Sequence, residues 1–155
     1  MFYKLKLIYL FLNNTDNFNK LLKYNNKLKS DLVEKMKKIY SHIKQEEIKE
    51  ILTKLGKKTE FNSFALFTSE GSKYIKYNIV VNGISLFFQV GIEYYKLVSY
   101  YWFDPKDKYK YMESKLKNKG VKRTDYKYGE TPEDIAAEIT RQIKIIISIF
   151  DDEKK

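Results

Sequence analysis

From residue 15 to residue 56 apolar side chains recur every three or four positions, the spacing of helices that turn one face to a core. Phe18, Leu21, Leu22 and Leu28 make a first run, interrupted by the pair Asn25-Asn26. Ser30 is placed to cap a second, striped by Leu32, Val33, Met36, Ile39, Tyr40 and Ile43. A third, over 45–55, turns Ile48, Ile51, Leu52 and Leu55 to one side. Glu46 and Glu47 open it, Lys54 ends it and Gly56 follows, which suits the helix dipole and a left-handed cap. The stripe shifts phase near Lys44, where the last two runs either bend or part.

From 59 to 103 the period falls to two, and the pattern predicts an antiparallel meander. Residues 59–68 lead into turn residues 69–72, then into a strand with Ile75, Tyr77, Ile79 and Val81 on one face. Asn82-Gly83 separates this strand from the next, which lines up Ile84, Leu86, Phe88, Val90 and Ile92. Asn-Gly between apolar runs is the strongest short hairpin signal, because both residues accept positive φ. A fourth strand is expected over 94–103, stopped by Asp104-Pro105. Alternation then places Tyr95, Tyr101 and Phe103 on one face and Tyr94, Tyr100 and Trp102 on the other.

Tyr109, Met112 and Leu116 predict a short helix before Gly120, and 121–128 a further strand or loop. The clearest helix is 132–150: Thr131 caps it, Pro132 sits in the first turn, and Glu133 and Asp134 complement the dipole. Ile135, Ile139, Ile143, Ile146 and Phe150 form its core stripe, broadened by Ile145, Ile147 and Ile149. So wide an apolar surface predicts burial on more than one side or a homodimer contact.

The expected fold class is α+β in one domain over 1–155. It combines N-terminal helices over 15–56, an antiparallel β-meander of four to five strands over 59–103, a basic segment over 106–128 and the C-terminal amphipathic helix. Residues 1–12 are apolar with lysines at 4 and 6. They are too short for a membrane span, and polar residues follow where a small-residue signal cleavage site should stand. A cytoplasmic location is the expectation, with a short N-terminal signal segment as its alternative.

Composition then narrows the chemistry. Among 155 residues there is no cysteine and one histidine. A disulfide scaffold, a thiol nucleophile and Cys-based zinc or iron–sulfur sites are therefore excluded. His42 alone supports neither a zinc site nor a Ser–His nucleophile. Residues 104–107 lack the glycine and closing glutamate of a calcium loop. Leu55-Gly56-Lys57-Lys58-Thr59 resembles the end of a phosphate loop, but Ile51 stands at the first glycine and Lys58 where Ser or Thr holds magnesium. Glu46-Glu47 serve a helix start and Asp151-Asp152-Glu153 a tail. No enzyme, no metal and no cofactor are expected.

The net charge is +10, yet 28 of the 30 cationic residues are lysine, and only Arg123 and Arg141 are arginine. Arginine is the side chain that forks onto phosphate, so charge alone points only weakly to nucleic acid. Its distribution says more. Residues 1–58 carry 14 lysines against 6 acids, and 59–105 carry 3 against 4. Residues 106–127 carry 9 cations against 3 acids, and 128–155 carry 4 against 7. The 106–127 segment interleaves Tyr109, Tyr111 and Tyr126 with its lysines, a pattern suited to single-stranded nucleic acid or to an acidic protein.

The expectation is a small non-catalytic interaction protein that binds and blocks or modulates a macromolecular partner. Inhibitors, immunity proteins and anti-defence proteins of mobile elements are of this size and commonly lack motifs. The partner is a protein or ribonucleoprotein; the alternative is an RNA or single-stranded DNA module using 106–127. Candidate partner-binding residues are Tyr94, Tyr100 and Trp102 on the aromatic strand. The basic segment adds Lys108, Tyr109, Lys110, Tyr111, Lys115, Lys117, Lys119, Lys122 and Arg123.

Overall fold

The computed structural model describes residues 15–67, 73–104 and 109–151; the apolar residues 1–12, the expected turn 69–72 and Lys108 lie outside them. Helices α1 (Thr15–His42) and α2 (Gln45–Lys54) come first. Strands β1 (Thr59–Phe67), β2 (Lys73–Val81), β3 (Ile84–Glu93) and β4 (Lys96–Asp104) follow. Helix α3 (Tyr109–Asn118), the short β5 (Thr124–Asp125) and helix α4 (Pro132–Asp151) complete the order. The strands lie in sequence order β1-β2-β3-β4-β5, each antiparallel to the next, so the fold is α+β with a five-stranded antiparallel sheet.

One helix replaces the two expected before Ile43. Helix α1 runs unbroken through Asn25-Asn26, and Ser30 is interior to it, not a cap. Each asparagine costs a helix only about 0.7 kcal/mol. Against that, Leu32, Met36 and Ile39 continue the phase of the partly buried Leu28 and are themselves buried. Packing outweighs propensity. The chain breaks instead at Lys44, with ψ near 74°, where the stripe changes phase.

Helix α4 is the hub of the helical layer, because α1, α2 and α3 all pack on it. Its start is fixed as expected. The Thr131 hydroxyl accepts the Asp134 backbone N–H at 3.1 Å and donates to the Asp134 carboxylate at 2.7 Å. Ile135, Ile139, Ile143, Ile146, Ile147, Ile149 and Phe150 are all buried within a single copy. Most of the breadth of the stripe is thus accounted for by packing within one chain, with Ile145 partly buried.

The inner sheet face meets this layer. Ile75, Tyr77, Ile79 and Val81 of β2 and Leu86, Phe88 and Val90 of β3 join the helical isoleucines in one core. Fully burying such a side chain contributes about 1.5–3 kcal/mol. Two tyrosines reach into the interior differently. Burial pushes the Tyr126 phenol up to about 12, while its hydroxyl shares a 2.9 Å hydrogen bond with Ser99. Burial raises the Tyr77 phenol further, and its hydroxyl meets no partner among the described residues.

The fourth strand starts later than expected. Glu93 pairs with Lys96, so Tyr94 and Tyr95 form the two-residue loop of the β3–β4 hairpin. Tyr94 is therefore at a turn and does not share a strand face with Tyr100 and Trp102. Tyrosine favours strands, but the register set by Phe88 opposite Tyr101 leaves only these two residues to reverse the chain. Of the expected 121–128 segment, only Thr124–Asp125 pairs, with Val98 and Ser99.

Candidate partner-binding surface

Alternation along the strands sends Phe64, Tyr74, Phe87, Tyr100 and Trp102 to the outer sheet face, and none of them joins the core shared with the helices. Cross-strand register then builds a cluster. Phe87 lies opposite Trp102, and their rings stack at 5.1 Å between centroids. Tyr100 stacks on Trp102 at 5.8 Å, and its hydroxyl accepts the Gln89 amide at 2.7 Å. The Lys76 ammonium covers both neighbours, 4.5 Å from the Phe87 ring and 5.0 Å from Trp102. Partial burial raises the Tyr100 phenol; Glu93 adds to this and Arg123 opposes it. Across the sheet Phe64, 44% exposed, meets Tyr74 edge-on at 5.8 Å.

Such a surface offers flat, rigid apolar area and a cation already poised on aromatic faces. Aromatic side chains of this kind are typical anchors of protein interfaces. Charge on this face is mixed: Lys76 and Lys96 stand against Glu60, Glu93 and Asp104. A polyanion would find no continuous cationic track there.

The twelve residues singled out in the sequence fall into three places. Tyr100 and Trp102 share the outer face, and Tyr94 caps the β3–β4 hairpin with 94% of its surface exposed. Arg123 reaches toward the same end of the sheet, donating to Glu93 at 2.7 Å and lying 3.5 Å from Asp125. Tyr109, Lys110, Tyr111, Lys115 and Lys117 belong to α3, whose Met112 and Leu116 are buried and which packs on α4 and β4. Lys119 donates to Ser148 of α4 at 3.3 Å, Lys122 is exposed, and Lys108 is outside the described residues. The basic segment is thus divided between the helical layer and the sheet edge.

Sequence reading missed Phe87, Lys76 and Gln89. A signal was present: once Asn82-Gly83 fixes the β2–β3 hairpin, Phe87 must oppose Asn78 and point away from Phe88. It also missed two clefts. One, of about 490 Å³, lies at the sheet end between α1, the Tyr94-Tyr95 turn and the loop after β5; Leu32, Lys35, Tyr95, Lys96, Tyr126 and Tyr128 are among its walls. The other, of about 430 Å³, is lined by His42, Lys44, Glu47, Glu133, Arg141 and Lys144.

The second cleft brings basic and acidic side chains into contact. His42 lies 3.0 Å from Glu133, and Glu47 takes both Lys144 and Lys44. Hydrogen bonds from these lysines hold the Glu47 carboxyl below its usual range, and Arg141 does the same for Glu138. Among the described residues no three His, Asp or Glu side chains gather as a metal site requires. Comparison of the chain with family models, with curated proteins and with solved structures gives no match in any of the three.

Proposed function

We propose that this protein acts by occupying a macromolecular partner, as a non-catalytic inhibitor or modulator of the immunity or anti-defence type found on mobile elements. The reading rests on one observation above all. The Phe87–Trp102–Tyr100 stack, with Lys76 lying over it, sits on a sheet face that contributes nothing to the helical core. Stacked aromatics held at rest carry little conformational entropy to lose on binding, which favours them as contact anchors. A protein or ribonucleoprotein partner in the cytoplasm is the matching target, and no described helix is long and apolar enough to cross a membrane.

An RNA or single-stranded DNA module built on 106–127 draws less support. Lys119 and Arg123 are engaged within the chain, and α3 turns part of the segment toward α4. Affinity purification of the tagged chain from its native cells tests both readings. A stoichiometric protein partner that survives nuclease and is lost with Trp102→Ala or Lys76→Glu is the expected result. Nuclease-sensitive recovery of nucleic acid with no protein partner, or a partner indifferent to both folded variants, overturns it.

A further inference from the structure

The two tight hairpins have the same backbone and opposite sequences. Asn82 and Gly83 reverse β2 into β3 at φ 51° and 78°, and Tyr94 and Tyr95 reverse β3 into β4 at φ 47° and 62°. Both residues of such a loop must adopt positive φ. Asparagine and glycine do so readily, whereas for a bulky aromatic residue the left-handed region is a genuine outlier. Strain of this kind persists where the surrounding structure imposes it, and it concentrates at ligand clamps and binding sites. Here the strained pair displays Tyr94 almost wholly to solvent and makes Tyr95 part of the wall of the 490 Å³ cleft.

The cleft behind the turn has a definite chemical character. Its floor includes Leu32, Leu97 and the ring of Tyr126, and the ammoniums of Lys35, Lys96 and Lys127 stand around it against one carboxylate, Asp125. Lys29 adds a fourth ammonium, 5.9 Å from the Tyr95 ring. Arg123 is shared between two of the nearby acids, and cations still outnumber carboxylates along the lining. Arg123 holds Glu93 and Asp125, and Glu130 accepts the Lys127 backbone N–H at 2.8 Å. Lys35 donates only to a neutral acceptor, the Tyr128 carbonyl at 3.0 Å, so its charge is not cancelled there.

We propose that the Tyr94-Tyr95 turn and this cleft dock an acidic polypeptide segment that inserts an apolar side chain. The inference rests on the partner-occupying reading and names the chemistry of the partner. An apolar anchor fills the floor, carboxylates meet the lysines, and Tyr94 closes over the segment as a rigid lip. A nucleic acid fits less well. Its phosphates need cations spaced along a track, and beyond the cleft the sheet face mixes acids with lysines.

Binding of a fluorescein-labelled peptide of glutamates around a central leucine pair tests the proposal by anisotropy at low and physiological salt. The wild-type chain binds it, more weakly as salt rises, and a lysine-flanked control does not bind. Tyr94→Asn/Tyr95→Gly melts about 3 °C higher yet binds about 30-fold more weakly. Lys127→Gln, the neutralisation of an exposed cleft lysine outside the turn, weakens binding without moving the melting temperature. The proposal is overturned if the double variant binds as tightly as wild type, if the peptide fails to bind at low salt, or if labelled oligouridylate displaces it. A peptide that fails while Trp102→Ala still abolishes partner capture removes this inference alone and leaves the broader reading standing.

Discussion

The β2–β3 and β3–β4 hairpins make the same reversal with residues that differ as much as two pairs can. At the first, an ideal Asn-Gly turn joins two strands whose inner side chains are buried. At the second, two tyrosines hold the conformation that asparagine and glycine hold without strain. The first turn is what stability alone would choose. The second gives up local stability to display two rings and frame a cleft, so within one sheet the contrast separates residues that serve folding from residues that serve display.

The largest test is to move the strained pair to the relaxed site. Asn82→Tyr/Gly83→Tyr is expected to lose about 2–4 kcal/mol, read from urea unfolding midpoints. A Cβ at Gly83 would meet no heavy atom within 4 Å, so any loss there is conformational and not a clash. An unchanged midpoint would break the comparison outright.

The reverse exchange is smaller. Tyr94→Asn/Tyr95→Gly is expected to gain only about 1 kcal/mol, because the relief of strain is offset by lost Tyr95 contacts with Lys29 and the cleft wall. A gain confined to Tyr94→Asn would sharpen the comparison by placing the strain at the exposed residue.

Removing the guanidinium that steadies the turn's flank should cost less still. Arg123→Ala gives up exposed ion pairs worth at most about 1 kcal/mol, so its melting curve should barely move. Its effect on acidic-peptide affinity should exceed its effect on stability, since Asp125 in the cleft wall would then lose its guanidinium neighbour. Smallest of all is Tyr94→Phe. The hydroxyl of so exposed a residue supports nothing in the fold, so both stability and peptide affinity should stay within about two-fold of wild type. A large loss of affinity would mean that the hydroxyl, and not the ring, makes the contact.

Legibility in the sequence follows the same divide. Asn82-Gly83, the Thr131 cap and the alternation of β2 and β3 were readable because local chemistry and global fold agree there. Tyr94-Tyr95 reads as strand in the sequence because tyrosine prefers strands; only pairing with β3, a non-local constraint, assigns it to the turn. Asn25-Asn26 misled in the same sense, since a weak local preference yielded to the buried stripe of α1. The aromatic pair Tyr100 and Trp102 was found, but Phe87 and Lys76 were not, because their role depends on which residue lies opposite. The cleft lysines were out of reach: Lys35 and the Tyr128 carbonyl are 93 positions apart and meet only through the helical layer.

That separation bears on the order in which the molecule assembles. The meander closes through neighbouring hairpins, at small loop-closure cost, whereas α1 and α4 must find each other across most of the chain. Helix α4 also follows every strand in sequence, so during synthesis the sheet is complete before the hub that gathers α1, α2 and α3 has been made. At about 5–20 residues per second, the inner face waits seconds for its isoleucines, a period in which Ile75, Tyr77 and Phe88 are open to wrong partners. A nascent chain stalled before α4 would therefore present a sheet whose helical layer is not yet locked, and chaperone demand should peak in that interval.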